Sequence, residues 1–119
     1  MKKILVVDDT IPLLEEIRDL LQMEGYEVIT ASNGSDGITK AEATDPDLII
    51  TDILMPEIDG FELISKIRAM SNFRKTPIIV LSAQATKEDE EKSKALKADG
   101  YLRKPCSADE LLSVIENLI

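Results

Sequence analysis

Leu48-Ile49-Ile50-Thr51-Asp52-Ile53-Leu54-Met55-Pro56-Glu57-Ile58-Asp59-Gly60 is the stretch whose reading decides the fold. Its apolar start, Leu48 to Thr51, has the length and continuity of a strand buried on both faces. Asp52 stands where that strand leaves the sheet. Pro56 has no backbone N–H to donate, so strand pairing ends before it. Asp59-Gly60-Phe61-Glu62 then opens a helix, with Asp59 as N-cap and Glu62 three residues on, the spacing of a capping box. A carboxylate at a strand end is by itself an ordinary polar terminus, so the rest of the chain decides what Asp52 means.

Upstream, Lys3-Ile4-Leu5-Val6-Val7-Asp8 reads as another buried strand ending in acid. Leu13, Leu14, Ile17, Leu20 and Leu21 recur at helical spacing, and Gly25 closes that helix. Glu27 to Ala31 is a second strand and Asn33-Gly34 a turn. Ile38, Ala41 and Ala43 mark a weaker helix before Asp45-Pro46. Downstream, the helix after Asp59 is expected to bury Phe61, Ile64, Ile67 and Met70. Pro77 to Ser82 is a fourth buried strand. Thr86 to Ala98 is a charged helix with only Ala95, Leu96 and Ala98 to bury, so it should dock loosely. Gly100 to Lys104 is a short last strand. Ser107-Ala108-Asp109-Glu110 is a capping box for a final helix carrying Leu111, Leu112, Val114, Ile115 and Leu118.

Five strands alternating with five helices predict an α/β fold: a doubly wound parallel sheet with right-handed crossovers, covered on both faces. The first, third and fourth strands are the most apolar and belong in the middle, which gives the order 2-1-3-4-5. A site in such a sheet forms beyond the carboxyl ends of its strands, where the order reverses. Here that point lies between the first and third strands.

The 119 residues suit one domain, 1–119, with a single core, and 44% hydrophobic residues suit a globular chain. No apolar run reaches the length of a membrane span, and the amino terminus lacks a signal-peptide pattern, so a cytoplasmic protein with no membrane partner is expected. The lone Cys106 agrees with a reducing compartment. The chain has no histidine, which removes His-based catalysis and most zinc or haem sites. A net charge of −9 argues against a nucleic-acid surface.

Four strands present polar residues at one edge: Asp8 and Asp9, Asp52, Ser82, and Lys104. Carboxylates gathered there repel by roughly 4 kcal/mol per pair at about 4 Å and an effective dielectric near 20. That repulsion invites a hard divalent cation, and Mg2+ accepts one or two carboxylates together with carbonyl oxygen, water and phosphate oxygen. Lys104 supplies a point charge for a phosphate oxygen and Ser82 a rotatable donor. A carboxylate nucleophile, Mg2+, a lysine and a hydroxyl are the parts needed for phosphoryl transfer to aspartate. Each signal is weak alone: Asp9-Thr10 could cap a helix, Ser82 could be structural, Lys104 could be a turn residue. Their shared edge carries the inference.

Val6-Val7-Asp8-Asp9, Asp52-Ile53-Leu54-Met55-Pro56-Glu57-Ile58-Asp59-Gly60, Ser82-Ala83 and Tyr101-Leu102-Arg103-Lys104-Pro105, in this order and spacing, resemble the response-regulator receiver domain of bacterial two-component signalling, over essentially the whole chain. The strand order above is also that family's flavodoxin-like order, so topology and resemblance are not independent. The resemblance implies that Asp52 accepts a phosphoryl group from a histidine kinase or histidine phosphotransfer protein, and that the domain signals to a downstream protein or output domain rather than acting as an enzyme. It implies that Asp9 ligates Mg2+ directly, Asp8 chiefly through water and Leu54 through its carbonyl, with Asp52 also in the metal site. Ser82 and Lys104 would bind the phosphoryl oxygens, the bond before Pro105 would be cis, and Tyr101 would turn inward as Ser82 moves. Without the resemblance, Tyr101 reads as an edge-strand aromatic half covering the sheet. The face formed by the fourth helix, last strand and last helix would shift on phosphorylation. Leu54 and Gln84 would flank the path of attacking water and tune the lifetime.

Two features depart from common patterns of the family. Cys106 stands where many members carry phenylalanine, and the last helix offers Asp109, Glu110 and Glu116 with no basic residue, which argues against the arginine-rich pairing of DNA-binding members. Met1-Lys2-Lys3 runs straight into the first strand like a natural start, whereas Ile119 leaves room for an output domain beyond it. A magnesium-dependent aspartyl phosphohydrolase is one alternative, but its Asp-x-Asp-x-Thr pattern differs from Asp8-Asp9-Thr10. Nucleotide and flavin sites lack their glycine-rich loops here. A receiver-like interaction module that takes no phosphate is a further alternative, against which the intact acids, Ser82 and Lys104 speak.

Overall fold

Side chains alternate across an extended strand, and in this chain that alternation divides the apolar residues between two clusters, one on each face of the sheet, rather than the single core expected. The computed structural model describes residues 1–83 and 86–119. Its strands are β1 (Lys3–Val7), β2 (Glu27–Ala31), β3 (Leu48–Thr51), β4 (Ile78–Ser82) and β5 (Gly100–Arg103). Its α-helices are α1 (Ile11–Met23), α2 (Gly34–Thr44), α3 (Gly60–Ala69), α4 (Lys87–Ala95) and α5 (Ala108–Leu118), with a short 3-10 turn at Ser71–Phe73. All neighbouring strands are parallel and their order is β2-β1-β3-β4-β5. That is the expected order, with the three most apolar strands inside.

Ile4, Val6, Leu48, Ile50, Ile79 and Leu81 face α1 and α5, meeting Leu14, Ile17, Leu21, Leu111 and Ile115. Leu5, Val7, Ile49, Ile78 and Val80 face the other way, onto Ala41 of α2 and Leu63, Ile64 and Ile67 of α3. A one-residue slip of any central strand would exchange these two sets between cores of different shape, so register is strongly specified. No helix among the described residues is long and apolar enough to cross a membrane.

Helix ends follow local chemistry. Asn33, Asp59, Thr86 and Ser107 each accept a backbone N–H three residues on, and Ser107 with Glu110 completes a capping box. Gly34 is therefore the first residue of α2 rather than part of a turn. Thr10, by contrast, makes no side-chain cap. Gly25 follows α1 with φ +93°, where glycine has no Cβ to clash.

Three expectations about buried faces need correction. In α3 the buried residues are Gly60, Leu63, Ile64 and Ile67, while Phe61 and Met70 are half-buried. A spacing of three residues drifts about 60° per step around a helix of 3.6 residues per turn, so the outer members of the expected set rotate out of the core. Ala43 of α2 is exposed, and Gly34, Gly37 and Ala41 line the inner face. The fourth helix ends at Ala95, which is exposed; Ser93 is its one buried residue, its Oγ satisfied by the Asp89 carbonyl at 2.8 Å. Leu96, the C-cap, and Ala98 pack half-buried beyond it, on either side of Lys97, which turns the chain at φ 73°.

Candidate functional site

The sheet delivers the site residues in register. After β1, β3 and β5 the first residue past the strand still donates its N–H to a neighbouring strand: Asp8 to Ala31 at 3.0 Å, Asp52 to Val7 at 3.1 Å, Lys104 to Ser82 at 2.8 Å. The backbone is thus fixed one step beyond the ladder, and three loops open from fixed points on one edge. There Lys104 Nζ donates to Asp8 Oδ2 at 2.7 Å and to Asp52 Oδ2 at 2.9 Å. Asp8 and Asp52 are buried and Asp9 is exposed. One carboxylate oxygen from each of the three lies within 4.8 Å of the others.

Backbone donors hold the remaining oxygens. Ile53 N–H reaches Asp52 Oδ1 at 2.7 Å, and Thr10 N–H reaches Asp8 Oδ1 at 2.9 Å. Burial by itself would lower the pKa of Lys104, but hydrogen bonds to Asp8 and Asp52, and their charges, outweigh it and hold the ammonium above its ordinary value. The lysine is therefore charged throughout the neutral range.

Ser82 is fully buried at the end of β4. Tyr101 lies half-buried on the α3 side of the sheet, and its side chain shares a hydrogen bond with that of Ser82. Burial first, then the charge of Asp89, raise the phenol's pKa, while the Ser82 bond opposes them. Leu54 is 53% exposed in the loop after β3. The Lys104–Pro105 peptide bond is cis. Gln84 lies outside the described residues.

Several contributors carry no side-chain signal in the sequence. The N–H groups of Ile53 and Thr10 belong to the backbone. Gly60 is a clearer case: a Cβ built there would collide with the Asp52 carbonyl oxygen and sit 2.7 Å from Ile53 Cα. Only glycine lets the start of α3 press against the strand end bearing Asp52, and Gly60 N–H completes the contact with the Ile53 carbonyl at 2.8 Å. The signal available was the spacing from Asp52 to Asp59-Gly60.

Beside Lys104 a groove of about 720 Å³ runs between α1 and the start of α5, lined by Leu13, Ile17, Leu20, Pro105 and Cys106, with Glu16 and Asp19 on its rim. Burial, then Glu110, push the Cys106 thiol up, which makes it a poor nucleophile at neutral pH.

Residues 4–116 match the family model described as the response regulator receiver domain. The chain belongs to the response-regulator receiver family. It is 38% identical over 114 residues to protein PilG of Pseudomonas aeruginosa, covering 96% of this chain and 84% of PilG. It is 36% identical over 118 residues to the alkaline phosphatase synthesis transcriptional regulatory protein PhoP of Bacillus subtilis, covering 99% of this chain but 48% of PhoP, about half its length. Among solved structures, the receiver fold superposes on chemotaxis protein CheY4 of Vibrio cholerae with a TM-score of 0.96, at 36% identity over 100% of this chain and 99% of that one. It also superposes on TrrA of Thermotoga maritima, solved in complex with Mg(2+)-BeF, with a TM-score of 0.90 at 39% identity over 100% of both chains.

Hard oxygen donors, the absence of histidine and the spacing of the receiver's acids suit a small divalent cation. Oxygens on opposite sides of such an ion, each about 2.1 Å from it, are about 4.2 Å apart. Separations up to 4.8 Å therefore accommodate a mixture of direct and water-bridged contacts.

Proposed function

We propose that Asp52 is the phosphoacceptor of a two-component phosphorelay, charged by a histidine kinase or histidine phosphotransfer protein in the cytoplasm. The observation that carries this reading is the Lys104 ammonium shared between Asp8 and Asp52, with Asp9 alongside. Mg2+ would be held by Asp9, Asp52 and the Leu54 carbonyl, with Asp8 reaching it through water. Bound there, it neutralises charge on the transferring phosphoryl group.

The chain's own residues then divide the work. Ile53 N–H keeps Asp52 Oδ1 fixed, so Oδ2 is the attacking oxygen once Lys104 turns from it to a phosphoryl oxygen. The new P–O bond forms as the donor's P–N bond breaks, and the electron pair leaves on the imidazole nitrogen. Ser82 rotates its hydroxyl from Tyr101 to a phosphoryl oxygen, which frees Tyr101 to adjust its packing. The α4, β5 and α5 face shifts in consequence and reports the state to a downstream protein or output domain. The acid-rimmed apolar groove beside Lys104 suits a donor helix with basic flanks.

Hydrolysis of the acyl phosphate resets the domain. This is self-catalysis within a signalling protein, not turnover of a separate substrate. Exposed, apolar Leu54 slows the approach of water from the loop side. Acetyl phosphate with Mg2+ tests the proposal: the chain should gain one phosphoryl group by intact mass, and Asp52→Asn none. Equal uptake by both proteins would overturn it. Release of inorganic phosphate over many turnovers without a stable adduct would instead favour a phosphohydrolase.

A further inference from the structure

Thr51 is the polar residue that ends an otherwise apolar β3, and it is fully buried. It stands in register between Val7 and Val80, whose side chains face α2 and α3. Its methyl suits that place, whereas its hydroxyl must find an acceptor or cost stability. A valine would fill the same volume without that demand. The acceptor is the next carbonyl along the chain: Thr51 Oγ1 donates to the Asp52 carbonyl oxygen at 2.9 Å.

That carbonyl belongs to the peptide unit whose N–H, on Ile53, holds Asp52 Oδ1 at 2.7 Å. A peptide unit is planar, so its C=O and its N–H turn together. Gly60 lies against the same carbonyl oxygen and denies it one direction; the hydroxyl gives it a preferred one. Asp52 is thus held at its own N–H by Val7, at its carbonyl by Thr51 and at Oδ1 by Ile53, which leaves Oδ2 to Lys104. We propose that Thr51 is a positioning residue for phosphoryl transfer: its hydroxyl orients the peptide between Asp52 and Ile53, so that Oδ1 stays bound and Oδ2 faces the incoming phosphorus. Without the hydroxyl the peptide plane tilts, the Ile53 bond loosens and the carboxylate turns, so fewer molecules present Oδ2 to the donor. The part played in phosphoryl transfer rests on the function proposed above; the orientation of the peptide does not.

Variants of the full chain separate the hydroxyl from the packing around it. Thr51→Val keeps the shape and removes the hydroxyl, Thr51→Ser keeps the hydroxyl and removes the methyl, and Thr51→Ala removes both. Losing one hydrogen bond changes the population it orders by about two- to tenfold. Thr51→Val should therefore take up phosphoryl groups from acetyl phosphate with Mg2+ about two- to tenfold more slowly than the parent. Thr51→Ala should slow to the same degree, and it carries the comparison if the second methyl of valine is not accommodated. Thr51→Ser should react at the parental rate even though it loses packing and melts lower. A role confined to packing predicts the same rate per folded molecule in every variant.

Amide proton NMR of the metal-free protein reads the orientation itself. The Ile53 amide proton, held downfield by its short bond to a carboxylate, should move upfield in Thr51→Val and Thr51→Ala and stay in place in Thr51→Ser. A parental rate in Thr51→Val, or a rate in Thr51→Ser as slow as in Thr51→Val, overturns the positioning role. An Ile53 signal that ignores the loss of the hydroxyl overturns the orientation on which that role depends. If the parent itself takes up no phosphoryl group while the Ile53 signal moves as described, the phosphoacceptor reading falls and the orientation of the peptide by Thr51 stands.

Discussion

Replacing Asp9 by asparagine should stabilise the metal-free protein and destabilise it relative to the parent once Mg2+ is present. Asp9 lies within 4.8 Å of both Asp8 and Asp52. At that distance two like charges repel by about 3.5 kcal/mol if the effective dielectric is near 20, and by about 0.9 kcal/mol in water. Asp9 is exposed, so the lower figure is closer. Lys104 sits on the other two carboxylates and offsets part of what Asp9 feels from them. The net relief on removing the charge comes to about 1 kcal/mol. For a chain of 119 residues, unfolding entropy of about 250 cal/mol/K makes that roughly a 4 °C rise in Tm. Added Mg2+ binds the folded parent and raises its stability by RT ln(1 + [Mg2+]/Kd), a gain that the variant loses in large part. Thermal melts with EDTA and with increasing Mg2+ should therefore cross, the variant leading without metal and the parent leading with it. A variant less stable than the parent in EDTA, or curves that stay parallel as Mg2+ rises, would refute the argument that these acids are held together at a cost in stability for the sake of a cation.

Gly60→Ala should destabilise by about 1–3 kcal/mol or more, because the new methyl meets backbone atoms of Asp52 and Ile53 that cannot rotate away; denaturant unfolding with an unchanged m-value checks it. Leu54→Asn should shorten the lifetime of the phosphorylated domain several-fold by admitting and orienting water, read as loss of the phosphoryl mass after the donor is removed; an unchanged lifetime removes Leu54 from the account. The pH dependence of Lys104 has a defined sign. Its pKa is raised on folding, so its stabilising contribution is complete below the unfolded lysine value of about 10.4 and declines as pH rises through the higher folded value. The stability gap between parent and Lys104→Met should therefore stay constant from pH 6 to about 9 and narrow only in stronger alkali; a gap that closes near neutrality contradicts this.

The parts of this structure legible in the sequence are those with one-dimensional signatures. Continuous apolar runs mark β1, β3 and β4 as interior strands, and acids or hydroxyls at their ends mark the edge where Asp8, Asp52 and Ser82 emerge. The caps at Asp59 and Ser107 are equally local. What stayed hidden depends on rotation or on distance in the chain. Leu63 rather than Phe61 faces the core because helix phase is set by where α3 begins, at Gly60, and that start is fixed by contact with Asp52. Ser93 is buried although it is polar, because its hydroxyl bonds back to the Asp89 carbonyl within its own helix. Arg68 reads as a surface charge until the turns at Phe73, Thr76 and Lys97 are seen to converge on it. Likewise Lys104 is legible as a site residue from its place after β5, but its choice of Asp8 and Asp52 over Asp9 follows only from the depth at which the three loops leave the sheet.

The central claim is that the oxygen of Asp52 left free by Ile53 takes up phosphorus. Borohydride trapping of the acyl phosphate formed with acetyl phosphate and Mg2+, followed by tandem mass spectrometry, locates the modified residue directly. The account predicts reduction at Asp52 and at no other carboxylate. A trapped adduct at Asp8 or Asp9, or a phosphorylated chain whose modification maps to Ser82, would contradict it.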